Sequence, residues 1–350
     1  MIKTDILIIG AGPTGLFTVF EAGLLQLKCH LIDSLPMPGG QCAEIYPKKP
    51  IYDIPSHPEI LAGDLVKNLE QQIAPFQPGY TLGESAVSIE KTAENEFIVT
   101  TDKGTQHQAP VVAIAGGLGT FEPRKPPLKR LDFFEDKGVS YIIKEPEMYR
   151  DKKVVIAGGG DSALDWTIFL ENVAASVTLI HRRNEFRGAL DSVEKVQHLK
   201  NEGRIQLITP AEVTTLEGES KLTSISVNKE GEILKIDCDH FIPLFGLTPK
   251  LGPIANWGLE IEKNAIKVDN TLDYQTNIPG IYAIGDVNTY PGKLKLILCG
   301  FHEATLMCQS AFKKIHPEKR NVLKYTTVSG VSGFDGSQKQ AAKSTIKAIE

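Results

Sequence analysis

Asp5-Ile-Leu-Ile-Ile-Gly-Ala-Gly-Pro-Thr-Gly-Leu16 joins an apolar run, a glycine-rich turn and a helix start, and its reading decides the fold. Its skeleton is Gly10-x-Gly12-x-x-Gly15. In a dinucleotide-binding turn the first glycine makes the tight bend, the second admits a pyrophosphate, and the third lets helix and strand pack closely. The helix N-terminus then faces the phosphates with unpaired N–H groups. A second apolar run, Cys29-His-Leu-Ile32, ends in Asp33, where a carboxylate accepts hydrogen bonds from a ribose.

The 350-residue chain, 41% hydrophobic, is long enough for two cores, and the net charge of −5 argues against general nucleic-acid binding. No uncharged apolar stretch reaches the roughly 20 residues that span a bilayer. The run over residues 6–20 lacks the flanks of a signal peptide. The five cysteines, Cys29, Cys42, Cys238, Cys299 and Cys308, have neither C-x-x-C nor metal-ligand spacing, which fits reduced thiols in a cytoplasmic protein.

Outward from the first turn, residues 36–55 form a proline- and glycine-rich stretch too long for a simple connector. Gly39-Gly40 allows close backbone approach, Gln41 offers an amide to a ring edge, and Tyr46 and Tyr52 offer flat faces, as a flavin requires. A helix is expected over 59–74, short strands near 85–89 and 97–100, and a buried strand over 111–117 ending in glycines. The proline-rich segment from Phe121 to Pro127 marks a crossing between domains.

Lys153-Val-Val-Ile-Ala-Gly-Gly-Gly-Asp-Ser-Ala-Leu-Asp165 then repeats the opening pattern as Gly158-x-Gly160-x-x-Ala163. The strand that follows, Ser176-Val-Thr-Leu-Ile180, ends in His181-Arg182-Arg183 where the first repeat has an acid. Guanidiniums pair with a 2′-phosphate where a carboxylate would accept from a free hydroxyl, so this repeat selects NADPH, with Arg187 joining the pair. The first repeat suits the adenosine of FAD.

Residues 205–242 read as a meander. Gly280-Ile-Tyr-Ala-Ile-Gly-Asp286 reads as a strand ending in an acid beside a glycine turn, with Asp286 offered to a ribityl chain. Gly300-Phe-His-Glu-Ala304 opens a helix to about Ile315 whose N-terminal dipole suits an anionic flavin edge. Residues 325–333 lack core periodicity and read as an arm. Arg124-Lys125 with Lys129-Arg130, and Lys313-Lys314 with Lys319-Arg320, are candidate docking charges for an acidic protein.

Laid end to end, these residues make the chain resemble the ferredoxin-NADP reductases of the thioredoxin-reductase-like type. The points of likeness are Gly-Ala-Gly-Pro-Thr-Gly, Leu-Pro-x-x-Gly-Gly-Gln, Tyr-Pro, Phe-x-Pro-Arg, Gly-Gly-Gly-Asp-Ser-Ala-x-Asp-Trp, His-Arg-Arg-x-x-Phe-Arg, Asn-Trp-Gly-Leu and Gly-Asp. The resemblance implies an α/β fold of two Rossmann-like three-layer (ββα) domains, usually in a homodimer. The FAD domain, 1–119 and 249–350, would be split around an NADPH domain, 120–248. It puts flavin contacts at Gly10, Gly12, Thr14, Gly15, Asp33, Gly40, Gln41, Tyr46, Ala86, Phe121, Asp286 and the arm around Thr327. Tyr46 matches the aromatic on one flavin face, and Tyr325 aligns with the arm residue over the other, where some members have His. NADPH contacts fall at Gly158, Gly160, Asp161, Ser162, Ala163, His181, Arg182, Arg183 and Arg187.

Relatives that reduce disulfides carry a cysteine pair in the NADPH domain or just after the Gly-Gly loop. Here no cysteine lies between Cys42 and Cys238, so Cys42 has no nearby resolving partner and reads as structural. The expected activity is hydride transfer from NADPH to flavin N5 and single-electron transfer to ferredoxin or flavodoxin, with no side chain acting as acid or base. An NAD(P)H oxidase or quinone reductase, and a non-enzymatic flavin redox sensor, are the alternatives.

Overall fold

The computed structural model describes residues 1–119, 122–248, 250–319, 326, 330 and 331. The chain divides into two compact units, residues 1–120 with 250–350, and residues 121–249.

The first buried strand of the first unit, β1 (Ile6–Ile9), has every residue buried and turns directly into α1 (Pro13–Leu24). Next come β2 (Cys29–Asp33), α2 (Ala62–Ile73), β3 (Gly79–Leu82) and β4 (Val111–Ile114). The runs Ile-Leu-Ile-Ile and Val-Val-Ala-Ile carry no alternation because a parallel strand covered on both faces has no polar side. Each such buried aliphatic side chain contributes roughly 1.5–3 kcal/mol.

In the second unit, β5 (Lys153–Ala157), α3 (Asp161–Leu170), β6 (Ser176–Ile180), α4 (Leu190–Asn201), β7 (Gln206–Ile208) and β8 (His240–Pro243) follow in order. They build a parallel sheet of order β7-β6-β5-β8. The antiparallel meander is narrower than residues 205–242. It comprises Glu212–Glu217, Ser224–Lys229 and Glu232–Asp237, while β7 and β8 on either side belong to the main sheet. Side-chain pattern does not separate such short flanking strands from the hairpins they adjoin.

The chain then returns to the first unit with β9 (Ile281–Ala283) and α5 (Ile297–Ile315). The five-stranded sheet there runs β9-β4-β1-β2-β3, all parallel. Helices α1, α2 and α5 share its core, and a second sheet built from Ile2–Lys3, Gln106–Ala109, Phe97–Thr101 and Ala86–Lys91 supplies Phe97, Val99 and Ala109 to it. The expected helix over 59–74 begins later, at Ala62, because Ile60–Leu61 pairs antiparallel with Pro50–Ile51. The expected loop at 36–55 contains a short helix, Gly40–Glu44, which the Gly39-Gly40 pair disguises in the sequence. Among the described residues, no helix is long and apolar enough to cross a membrane, and no cluster of His, Cys, Asp or Glu could hold a metal ion.

Candidate functional site

In the first glycine turn, Gly10 has φ +110°, and a Cβ there would sit 2.6 Å from the Ala115 carbonyl carbon. A Cβ on Gly15 would overlap the Gly10 carbonyl oxygen. Gly12 differs: its imagined Cβ meets nothing nearer than the Gly40 Cα at 4.0 Å. It caps α1 without a side-chain hydrogen bond, so the first N–H groups of that helix stay available. A turn tight at its first and third glycines and open at the second is the cradle a pyrophosphate needs. The loop after β2 closes over it. The Gly39 N–H donates to the Ala11 carbonyl at 2.8 Å, and a Cβ on Gly40 would lie 3.1 Å from the Gly12 Cα.

Asp33 does two tasks. Its Oδ2 accepts from the Ala11 N–H at 2.7 Å and its Oδ1 from the Leu35 N–H at 2.9 Å, which fixes the turn to the end of β2. Burial raises its pKa, and these two bonds oppose the rise. Each carboxylate oxygen keeps a lone pair for a ribose hydroxyl.

Thr14, at the start of α1, is where three segments meet. A Cβ on Gly285 would lie 3.0 Å from the Thr14 Oγ1, and one on Gly300 would overlap it. The strand expected to end in Asp286 stops at Ala283. Gly285, at φ +76°, starts a 3-10 turn, Gly285–Val287, that carries Asp286 half-buried. Helix α5 begins at Ile297, so Gly300 lies in its first turn and not ahead of it. Gln41 reaches toward Gly117, whose Cβ would be 3.6 Å from the amide nitrogen. Tyr46 is half-buried, with its hydroxyl 4.0 Å from the Cys42 Sγ. Burial pushes the Cys42 thiol up to about 11, and the Asp286 carboxylate adds to the rise. Burial and the same carboxylate raise Tyr46, so the structure brings Cys42, Tyr46 and Asp286 together. Tyr52, in contrast, is 65% exposed. Ala86 is buried at the head of its strand in the second sheet. Phe121, Tyr325 and Thr327 lie outside the described residues.

The second turn repeats this design. A Cβ on Gly158 would lie 2.7 Å from both the Ala163 Cβ and the Leu244 carbonyl oxygen, which is why the third position must be small. Gly160 faces open space and caps α3 without a side-chain bond. Asp161 and Ser162 are exposed in the first turn of α3, and the Asp161 Oδ1 accepts from the Ala189 N–H at 2.8 Å.

The loop after β6 is clasped to this turn. The His181 ring is only 7% exposed, stacks on Phe186 at 5.1 Å and lies against Gly159. Its Nε2–H donates to the Glu185 carbonyl at 3.1 Å, and the Arg187 N–H donates to the Gly159 carbonyl at 2.7 Å. Burial lowers the His181 pKa, the bond to the Glu185 carbonyl opposes this, and Arg182, Arg187 and Arg183 lower it further, which favours a neutral ring. Arg182, Arg183 and Arg187 are exposed on the loop it holds.

The docking charges are partly spent within the fold. Lys125 pairs with Glu135 at 2.5 Å, and Arg130 lies over the Phe133 and Phe134 rings and donates to the Gly218 carbonyl. Lys313 and Lys314 sit in the last turn of α5, where they also answer the helix dipole. Lys319 is described and Arg320 lies outside the described residues.

Sequence reasoning missed Glu303. It is fully buried on α5, and its carboxylate gathers the Gly285 N–H, Asn288 Nδ2, Tyr290 hydroxyl and Lys293 Nζ. The available signal was an acid on the same helix face as Gly300, Ala304, Met307 and Ala311.

The profile described as Pyridine nucleotide-disulphide oxidoreductase matches residues 4–304. A ferredoxin-NADP reductase of Flavobacterium johnsoniae is 72% identical over 349 residues, with both chains fully covered. One from Nitrobacter winogradskyi is 51% identical, covering 94% of this chain and 96% of that one. Among solved structures, thioredoxin reductase of Lactococcus lactis superposes with a TM-score of 0.77 at 23% identity, over 90% of this chain and 99% of that one. A bacillithiol disulfide reductase of Staphylococcus aureus gives 0.73 at 21% identity, over 91% and 100%. These two likenesses concern the fold alone.

Proposed function

The chain belongs to the pyridine nucleotide-disulphide oxidoreductase family, and from that membership we propose that it is a flavoprotein reductase passing electrons between NADPH and ferredoxin. The first unit, residues 1–120 with 250–350, holds FAD, and the second, residues 121–249, holds NADPH. One observation carries the reading: two dinucleotide cradles stand in a chain whose cysteines are all free and include no pair after either glycine turn. Thioredoxin-reductase and glutathione-reductase types carry such a pair as a relay, and this chain has none, so electrons leaving this cofactor go straight to an external acceptor.

When bound, the flavin supplies the exchange of one hydride for two single electrons. The residues of the chain bind and orient. Gly12 and the open N-terminus of α1 receive the FAD pyrophosphate, and Asp33 receives its ribose. Gln41 and Tyr46 meet the ring, and Asp286 meets the ribityl side. Gly160 and α3 receive the NADPH pyrophosphate, while Arg182, Arg183 and Arg187 take the 2′-phosphate. Flavodoxin is the second acceptor. The exposed basic side chains at Lys129 and Lys313, with the half-exposed Lys314, suit such partners. We assign the protein to the cytoplasm, where five reduced thiols persist, and to a homodimer, which the family resemblance implies.

The test compares steady-state turnover of the FAD-loaded protein with ferredoxin, flavodoxin, a quinone and oxygen. Ferredoxin or flavodoxin should be reduced fastest with NADPH. Faster turnover of quinone or oxygen overturns the acceptor assignment, and negligible turnover with every acceptor turns the protein into a redox sensor.

A further inference from the structure

Glu303 and Lys293 form a buried ion pair, 0% and 5% exposed at their side chains, at the foot of the turn that carries Asp286. The Glu303 Oε2 accepts from the Gly285 N–H at 2.7 Å and from the Asn288 Nδ2 at 2.9 Å. Its Oε1 accepts from the Tyr290 hydroxyl at 2.8 Å and from the Lys293 Nζ at 2.5 Å. The Asn288 Nδ2 also donates to the Ala283 carbonyl, at the end of β9. One carboxylate on α5 therefore ties down both ends of the Gly285–Val287 turn and the segment that follows it. The same turn lies against Thr14, at the mouth of the first glycine cradle. The charges also act on one another. Burial raises the Asp286 pKa, Lys293 and Lys295 oppose the rise, and Glu303 adds to it.

We infer that Glu303 is a positioning residue for the flavin: without touching it, Glu303 sets the turn that presents Asp286 and cancels the Lys293 charge beside Asp286. This rests on the FAD reading above. A buried pair of this kind contributes two separable effects. Its hydrogen bonds hold geometry, which governs how tightly FAD is kept. Its neutrality governs the field at the site, which decides how readily the bound cofactor accepts negative charge. Removing the acid leaves Lys293 as an unpaired cation and favours the reduced cofactor. Removing the base leaves Glu303 as an unpaired anion and favours the oxidised one.

The experiment measures FAD dissociation constants and two-electron midpoint potentials, with FAD in excess, for the parent, Glu303→Gln, Lys293→Met, the double variant and Tyr290→Phe. Glu303→Gln should hold FAD about tenfold less tightly and shift the potential upward by about 30 mV, the equivalent of a tenfold preference for the reduced state. Lys293→Met should shift it downward, and the double variant should return toward the parent. Tyr290→Phe, which removes a bond and no charge, should loosen FAD and leave the potential alone. Potentials that agree across all FAD-loaded variants, or that move in one direction in both single variants, overturn the inference. If Glu303→Gln does not fold, Lys293→Met read against Tyr290→Phe decides by the same rule. A parent protein that takes up no FAD defeats the proposed function instead.

Discussion

Replacing Gly159 by Ala tests whether the arginine loop is preformed. Gly159 has no unusual φ, so the substitution is a question of space alone. The new methyl would stand 2.5 Å from the His181 Nδ1 and nearer still to the Cε1 and Nε2. The ring has nowhere to retreat, being stacked on Phe186 and bonded to the Glu185 carbonyl. Overpacking of this kind costs about 1–3 kcal/mol, and losing the ring's hydrogen bond adds about 1 kcal/mol. The cost is met by swinging the loop outward, which carries Arg182, Arg183 and Arg187 with it. NADP+ binds only when the loop returns, so about 2–4 kcal/mol becomes a loss of roughly 30-fold to several hundred-fold in affinity. Calorimetric titration of the folded, FAD-loaded variant with NADP+ reads this directly, and FAD content should match the parent. A folded variant that binds NADP+ within about threefold of the parent would refute the clasp.

Further outcomes follow from the same contacts. Gly15→Ala drives a methyl into the Gly10 carbonyl oxygen, so the purified protein should lack the flavin's visible absorbance or fail to fold; normal FAD content would contradict the cradle. Cys42, 2% exposed with its thiol pushed up to about 11, should resist alkylation near neutral pH in the native state; its labelling, read by mass spectrometry, would show a reactive thiol. His30 and His107 share the Thr81 hydroxyl at 2.8 and 2.9 Å, and burial pushes His30 from 6.5 down to about 4 and lowers His107 as well. The unfolded chain takes up protons below pH 6.5 that the folded chain refuses, so stability is whole above 6.5 and is lost as pH falls toward 4. His30 alone accounts for about 3 kcal/mol at the end of that window. Urea midpoints across the window should show a shallower acid loss in His30→Asn, and an unchanged slope would refute the assignment.

What was legible in the sequence was local. Each strand, glycine turn and helix start forms one continuous segment, so the fold class and the strand-turn-helix at each repeat could be read from Gly10-x-Gly12-x-x-Gly15 and its echo at Gly158. The packing within each pattern was legible too, because the first and third positions are tight and the second stays open. What escaped depends on partners distant in sequence. Gln206–Ile208 and His240–Pro243 join the parallel sheet through neighbours that pattern alone does not name. The family resemblance puts His181 among the NADPH contacts, but that its ring is stacked on Phe186 and packed against Gly159 depends on tertiary packing that the run His181-Arg182-Arg183 does not reveal. The role of Glu303 escaped because its four donors come from a turn and loop folded back beneath the helix.

The central claim, an FAD nest and an NADPH nest joined by no cysteine relay, is tested most directly by anaerobic titration of the FAD-loaded protein with NADPH and separately with NADH. The account predicts that the flavin's visible absorbance bleaches at about one equivalent of NADPH and that NADH bleaches it far more weakly. Equal bleaching by both donors, or a protein that takes up no FAD, would contradict it.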